Sequence, residues 1–183
     1  MQLVLNETAQ AQWMALVEDA EHACDLDLGA ELKSYLVFLL MRHVNHQSLS
    51  AGSLALDFLE GLEFHGRLRE DRLTEVGDQC LLVSGLFPGR AERRRVSVGY
   101  YVDLGRCAYA VLGDLLRGAQ AALFESLSRH FVALMDILHA ARESDTRQPA
   151  LQPLQAMELW TDTGSPHAFA TLRRYTAATP VKN

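Results

Sequence analysis

At 183 residues, 49% hydrophobic and 22% charged, the chain has the size and composition of one ordinary globular domain, which excludes the disordered, fibrous and collagen-like classes. A formal net charge of -6 argues against a general nucleic-acid binder, whose first requirement is a positive field over the phosphates. The longest strongly apolar run, Tyr35 to Met41, falls far short of the roughly twenty residues that cross a bilayer, so no membrane span is expected.

Asn6 or Thr8 is positioned to cap a first helix that carries Trp13, Leu16, Val17 and Ala20 on one face, with Gly29 marking its end. From Ala30 to His46, Leu32, Tyr35, Leu36, Leu39, Leu40 and Val44 recur at threes and fours while Val37 and Phe38 fill the other side. A helix apolar nearly all round belongs in the middle of a bundle. After the Ser48–Ser53 loop, Ser50 or Ser53 can cap a short helix presenting Leu54, Phe58 and Leu62, and Gly66 closes it.

A helix from Arg67 to Phe87 turns Leu68, Leu73, Val76, Cys80 and Val83 inward and ends at the Phe87-Pro88-Gly89 breaker. Gly77 and Gly85 inside it mark places where another backbone comes close, or breaks. Beyond the Arg90–Arg95 stretch, Ser97 to Leu116 places Tyr101, Leu104, Gly105, Ala108 and Leu112 on one stripe. Ala119 to Glu143 reads as a single continuous helix through Leu123, Phe124, Leu127, Phe131, Leu134, Met135 and Leu138. A polar linker, Ser144 to Pro153, leads to a helix at Leu154–Trp160 and a last one at Pro166–Tyr175 with Ser165 as its cap. The expectation is one all-α domain, residues 1–175, built as a bundle of six or seven mostly antiparallel helices, with a frayed tail at 176–183.

The stretch Gly77-Asp78-x-x-Leu81-x-x-Ser84-Gly85-x-Phe87-Pro88, followed by Tyr100-Tyr101-x-x-x-Gly105-x-x-Ala108-Tyr109, resembles a family of uncharacterised bacterial proteins with a "GD..L..SG.FP" then "YY...G..AY" pattern. The resemblance covers about a fifth of the chain. It implies a bacterial, cytoplasmic, helical protein and brings with it no activity, ligand or cofactor.

Four groups of residues are chemically suggestive. His43-x-x-His46 puts two imidazoles on one helical face, and Asp136-x-x-His139 repeats that spacing, so the four together are a candidate divalent-metal set. No Glu-x-x-His accompanies them, and a histidine near a helix C-terminus also complements the macrodipole. Glu18-x-x-x-His22, with Cys24 close behind, reads as a surface ion pair or an acid–base couple. Arg90, Arg93, Arg94 and Arg95 form a candidate anion site, although interleaved acids such as Glu92 fit a solvated face.

The densest polar group in the apolar middle is Asp78, Tyr100, Tyr101, Arg106 and Tyr109, which is either a ligand pocket between helices or a hydrogen-bond network locking them. Three cysteines, Cys24, Cys80 and Cys107, lack any CxxC pairing and suit a reducing cytoplasm, with Cys107 expected in the core. The opening residues Met1–Glu7 lack a secretory pattern. No phosphate loop or nucleophile elbow is present. These features point to a non-catalytic interaction or regulatory module that binds another protein or itself, with an enzyme or sensor holding a ligand or metal between helices as the alternative.

Overall fold

The computed structural model describes residues 2–45 and 53–177. Among them there are ten helices and no strand: α1 (Gln2–Cys24), α2 (Gly29–Asn45), α3 (Leu54–Glu63), α4 (Gly66–Leu86), α5 (Pro88–Arg93), α6 (Val98–Leu115), α7 (Gly118–Arg129), α8 (Phe131–Thr146), α9 (Pro153–Thr163) and α10 (Pro166–Ala177). One cluster of buried apolar side chains draws on every helix, from Val17 in α1 through Leu36, Leu73, Val102 and Leu138 to Ala168 in α10.

The elements read in chain order number eight, above the expected total of six or seven, and two further helices have local reasons. Pro88 fits a first helical turn, so the breaker after α4 starts α5 at once instead of opening a loop. The long segment expected from Ala119 to Glu143 is split at His130, whose φ of -98° and ψ of 14° leave the helical region. There the His130 Nδ1 lies 2.9 Å from the Ser126 carbonyl, which also accepts the His130 backbone N–H at 2.9 Å. At the two ends, α1 starts at Gln2, ahead of Asn6 and Thr8, and α10 continues to Ala177, past the residue where the tail was expected to begin.

The centre of the bundle is the second half of α4, where every residue from Val76 to Gly85 is buried. It is not α2, whose Phe38 is 52% exposed. Small residues explain the difference, because they allow neighbouring helices to approach α4 closely. A Cβ on Gly77 would overlap the ring of Tyr109, one on Gly85 would lie 2.6 Å from the Leu138 Cβ, and one on Gly105 of α6 would lie 2.8 Å from the Cys80 Cβ.

The ends of the elements are fixed by polar contacts. Ser97 accepts the Tyr100 N–H as the N-cap of α6. Ser165 caps α10 as its sequence position suggested, accepting the Ala168 N–H at 3.0 Å. Glu21, almost fully buried, takes the Leu28 N–H at 2.9 Å and the Lys33 ammonium at 2.8 Å, which sets the turn between α1 and α2.

Gly77→Ala and Gly105→Ala should each lose about 1–3 kcal/mol to overpacking. Gly89, where an added Cβ meets nothing within 4 Å, should tolerate alanine with little change. Urea midpoints of the three variants decide this, and equal losses at all three positions would contradict the close-approach argument.

Candidate functional site

Two buried polar centres stand out. In the first, the Asp78 carboxylate on α4 accepts the Tyr109 hydroxyl at 2.7 Å, the Tyr35 hydroxyl at 2.6 Å and the Arg42 guanidinium at 2.8 Å. Burial pushes the Asp78 pKa up, while Tyr35, Arg42 and Tyr109 pull against it. Both tyrosines are held well above their ordinary range, by burial first and by the neighbouring carboxylate second. The rings of Tyr35, Tyr109, Phe124 and Phe131 close around the group at centroid spacings of 5.8–6.4 Å.

This centre contains Asp78 and Tyr109 from the expected group but separates them from the rest. Tyr100 and Tyr101 stack edge to face at 5.5 Å and line a surface groove with Arg94, Ser53 and Leu54. Arg106 is exposed, and its carbonyl accepts the Ser128 hydroxyl. Sequence reading missed Tyr35 and Arg42. They sit seven residues apart on α2, two turns on one face, and that spacing is the signal that would have paired them.

The second centre lies where α1, α8 and α10 meet. Asp136 accepts the Ser165 hydroxyl at 2.6 Å and the His167 N–H at 3.3 Å. His167 Nε2 lies 3.1 Å from Glu143 Oε1, and Glu143 is also held by Arg174 at 3.2 Å and by the Ala150 N–H at 2.9 Å. Cys24, the last residue of α1, directs its thiol at the Asp136 backbone carbonyl at 3.6 Å. Asp25 behind it adopts a left-handed φ of 54°, and the Leu26 N–H returns to the Glu21 carbonyl, ending α1 and setting Cys24 against α8 and α10. His139, fully buried, bonds through Nε2 to the Ser84 carbonyl at 2.8 Å, and its Nδ1 has no hydrogen-bond partner. Its ring centroid lies 5.6 Å from that of His167.

The expected metal set is not assembled among the described residues. No three His, Cys, Asp or Glu groups there are arranged to hold a metal. His43 instead rests on the Phe87 ring at 5.4 Å, and its pKa is lowered by burial and then by Arg90. Asp136 and His139 share α8, but Asp136 bonds to Ser165 and the His167 backbone N–H, and His139 bonds through Nε2 to the Ser84 carbonyl. His46 lies outside the described residues.

The arginines also diverge. Arg90 lies near enough to His43 for its charge to lower that imidazole's pKa, Arg94 lines the groove with Tyr100, and Arg95 lines a different hollow with Glu158. Arg93 is exposed at the end of α5. His22 bonds to the Glu18 backbone carbonyl at 2.7 Å, not to its carboxylate, which is instead near Lys33. Cys107 is exposed, contrary to the core position expected, because the inward stripe of α6 runs through Tyr101, Gly105, Ala108 and Leu112.

Compared with known proteins, the chain matches no protein family, no curated protein and no solved structure. No helix among the described residues is long and apolar enough to cross a membrane.

Removing one donor from the Asp78 centre leaves a buried carboxylate short of a partner, so Tyr109→Phe should cost about 1–3 kcal/mol. Adding Tyr35→Phe should give a loss different from the simple sum, since both hydroxyls serve one oxygen. Urea denaturation of the two single variants and the double variant reads this coupling, and strict additivity would argue against it.

The second centre predicts a pH profile. Burial opposes the charge on His167, but Cys24 and Glu143 outweigh it and raise its pKa to about 9. Its stabilisation is therefore complete below the ordinary value of 6.5 and is lost as the pH rises toward 9. His139 is the reverse: burial, then the charge on His167, lowers it to about 3, so stability falls as the pH drops below 6.5 and the unfolded chain takes the proton. For Glu143, burial is outweighed by the bonds from His167 and Ala150, which lower it to about 2 and add a loss as the pH falls below 4.5. Stability should peak near pH 6.5, with His139→Gln flattening the acid limb and His167→Gln the alkaline one. A wild-type urea midpoint unchanged between about pH 4 and 9 would contradict this account.

Proposed function

We propose that this chain is a non-catalytic interaction module that pairs with a second copy of itself through the outer face of α9 and α10. The observation that carries the reading is a stripe of large apolar side chains facing solvent. Leu154, Met157 and Trp160 recur every three residues along α9, and Trp160 stacks on Phe169 of α10 at 5.0 Å. All four are at least 41% exposed. Such a cluster is expensive to leave in water, and a tryptophan held against a second aromatic ring is the kind of rigid anchor that dominates interface energies.

Charge favours a second copy as the occupant. On α9 the exposed Glu158 lies one turn from Leu154, and on α10 the exposed Arg173 lies one turn from Phe169 with the opposite sign. A two-fold axis would lay α9 of one protomer across α10 of its partner, with apolar groups at the centre and opposite charges at the rim. A hollow of about 300 Å³ beside Leu154, lined by Gln155, Val96 and Val98, offers room for a protruding side chain. The family resemblance would place such a module in a bacterial cytoplasm.

Light scattering coupled to gel filtration should give a dimer mass for the wild type. Trp160→Ser combined with Phe169→Ser should give a monomer with an unchanged helical spectrum. Glu158→Arg should weaken the dimer, and adding Arg173→Glu should restore it. A wild type that is monomeric at its highest soluble concentration would overturn the proposal.

A further inference from the structure

A cavity of about 630 Å³ lies where α1, α2, the end of α4 and α8 meet. Leu40 of α2 and Leu138 of α8, both buried, form its floor, and Leu16 of α1 and Leu86 of α4 wall it. Its mouth is the end of α8, where Arg142 and the exposed Asp145 and Thr146 line it. We propose that this cavity binds an unbranched medium-chain carboxylate, with the alkyl chain over Leu40 and Leu138 and the carboxylate at Arg142. This inference does not depend on pairing through α9 and α10.

The lining changes character along one helix. Leu138 and Ala141 are apolar, and Arg142, Ser144, Asp145 and Thr146 follow, so the cavity runs about 12 Å along α8 from an apolar floor to a polar mouth. The rings of Trp13 and Phe87 add apolar surface from α1 and from the end of α4. A ligand that matches this gradient has one long apolar part and one polar end. The volume falls within the range of about 300–1,000 Å³ in which pockets bury most of a small ligand's surface.

What the mouth residues already do selects the sign of that polar end. The Ser144 hydroxyl donates to the Ala140 carbonyl at 3.1 Å and the Thr146 hydroxyl to the Arg142 carbonyl at 3.0 Å, so both protons are spent within α8. Arg142 donates through Nη1 to the Leu86 carbonyl at 3.0 Å, which anchors the guanidinium at the mouth. It pairs with no carboxylate among the described residues. The rest of its planar fork of N–H donors suits a carboxylate. A second cation lies on the same side, since the Arg90 N–H bonds to the Phe87 carbonyl at 2.8 Å and the Arg90 charge reaches His43, whose ring rests on Phe87. The one acid lining the mouth, Asp145, is exposed and screened by water, whereas Arg142 is half-buried. The balance favours an anionic head.

Three amphiphiles with the same tail separate the possibilities. The full-length protein is titrated calorimetrically at neutral pH with decanoate, decanol and decyltrimethylammonium, each below the concentration at which it aggregates. Decanoate should occupy a single site per chain and bind about tenfold or more tightly than the cation. Arg142→Met keeps an apolar side chain at the mouth and should weaken decanoate about tenfold while decanol is little changed. Asp145→Asn should tighten decanoate severalfold. Ala141→Phe fills the cavity and should abolish binding of all three compounds; should it fail to fold, Leu16→Trp, at a half-buried wall position, carries that test. Trp160→Ser combined with Phe169→Ser should leave decanoate binding unchanged, which separates the cavity from the exposed stripe on α9 and α10. No decanoate binding, equal or tighter binding of the cation, or decanoate binding that survives the filled cavity would overturn the proposal.

Discussion

The Asp78 carboxylate on α4 governs how the rest of the chain can be arranged. A carboxylate taken out of water is costly unless it is fully hydrogen-bonded. Its donors come from two other helices, Tyr35 and Arg42 on α2 and Tyr109 on α6. The three helices satisfy that group together or not at all. Gly77, one residue before Asp78, removes the Cβ that would block the Tyr109 ring, so the polar contact and the close helix approach depend on the same pair of positions. Three glycines lie at such contacts. Gly77 meets Tyr109, Gly85 meets Leu138, and Gly105 meets Phe131 and Cys80.

α8 does a comparable task at the other side of α4. Its His139 bonds to the Ser84 carbonyl and its Arg142 donates to the Leu86 carbonyl at 3.0 Å. These carbonyls belong to the last turn of α4, where intrahelical donors run out, and a histidine and an arginine from a neighbouring helix supply them. One turn in either direction, Asp136 and Glu143 reach α10 instead. A single stripe on α8 therefore ties α4 to α10, and the ion pair of Glu143 with His167 is largely buried beside the cavity lined by Leu26, Val132 and Pro166. On α10, His167 faces that cavity while Phe169, two residues on, faces solvent beside Trp160.

Periodicity made most helices legible because their inward stripes are written in the chain. Ser97 to Leu116 and Pro166 to Tyr175 lie within a residue or two of α6 and α10, and Ser165 capped as its position suggested. The same method joined α7 to α8, because the apolar stripe continues through His130 although the backbone does not. It also placed α2 at the centre on apolar content. What centres a helix here is small side chains, and α4 has Gly77, Cys80, Ser84 and Gly85 where α2 has Phe38.

The candidate sites were less legible, for a related reason. Asp78 and Tyr109 were singled out together, but Tyr35 and Arg42 arrive from 43 and 36 residues away, and nothing local marks them as partners. Asp136 and His139 were noticed as a pair of possible ligands, yet their partners Ser165 and Ser84 belong to other helices. By itself the sequence determined an all-helical chain, the approximate extent of most helices, and that its middle would hold polar groups within an apolar setting. Those follow from the 3.6-residue period and from the chemistry of single residues. Only the tertiary structure decided which polar groups meet, that the arginines diverge, and that Cys24, His167 and Glu143 share one corner. Such contacts depend on how helices far apart in the chain cross, and no local pattern of residues encodes that.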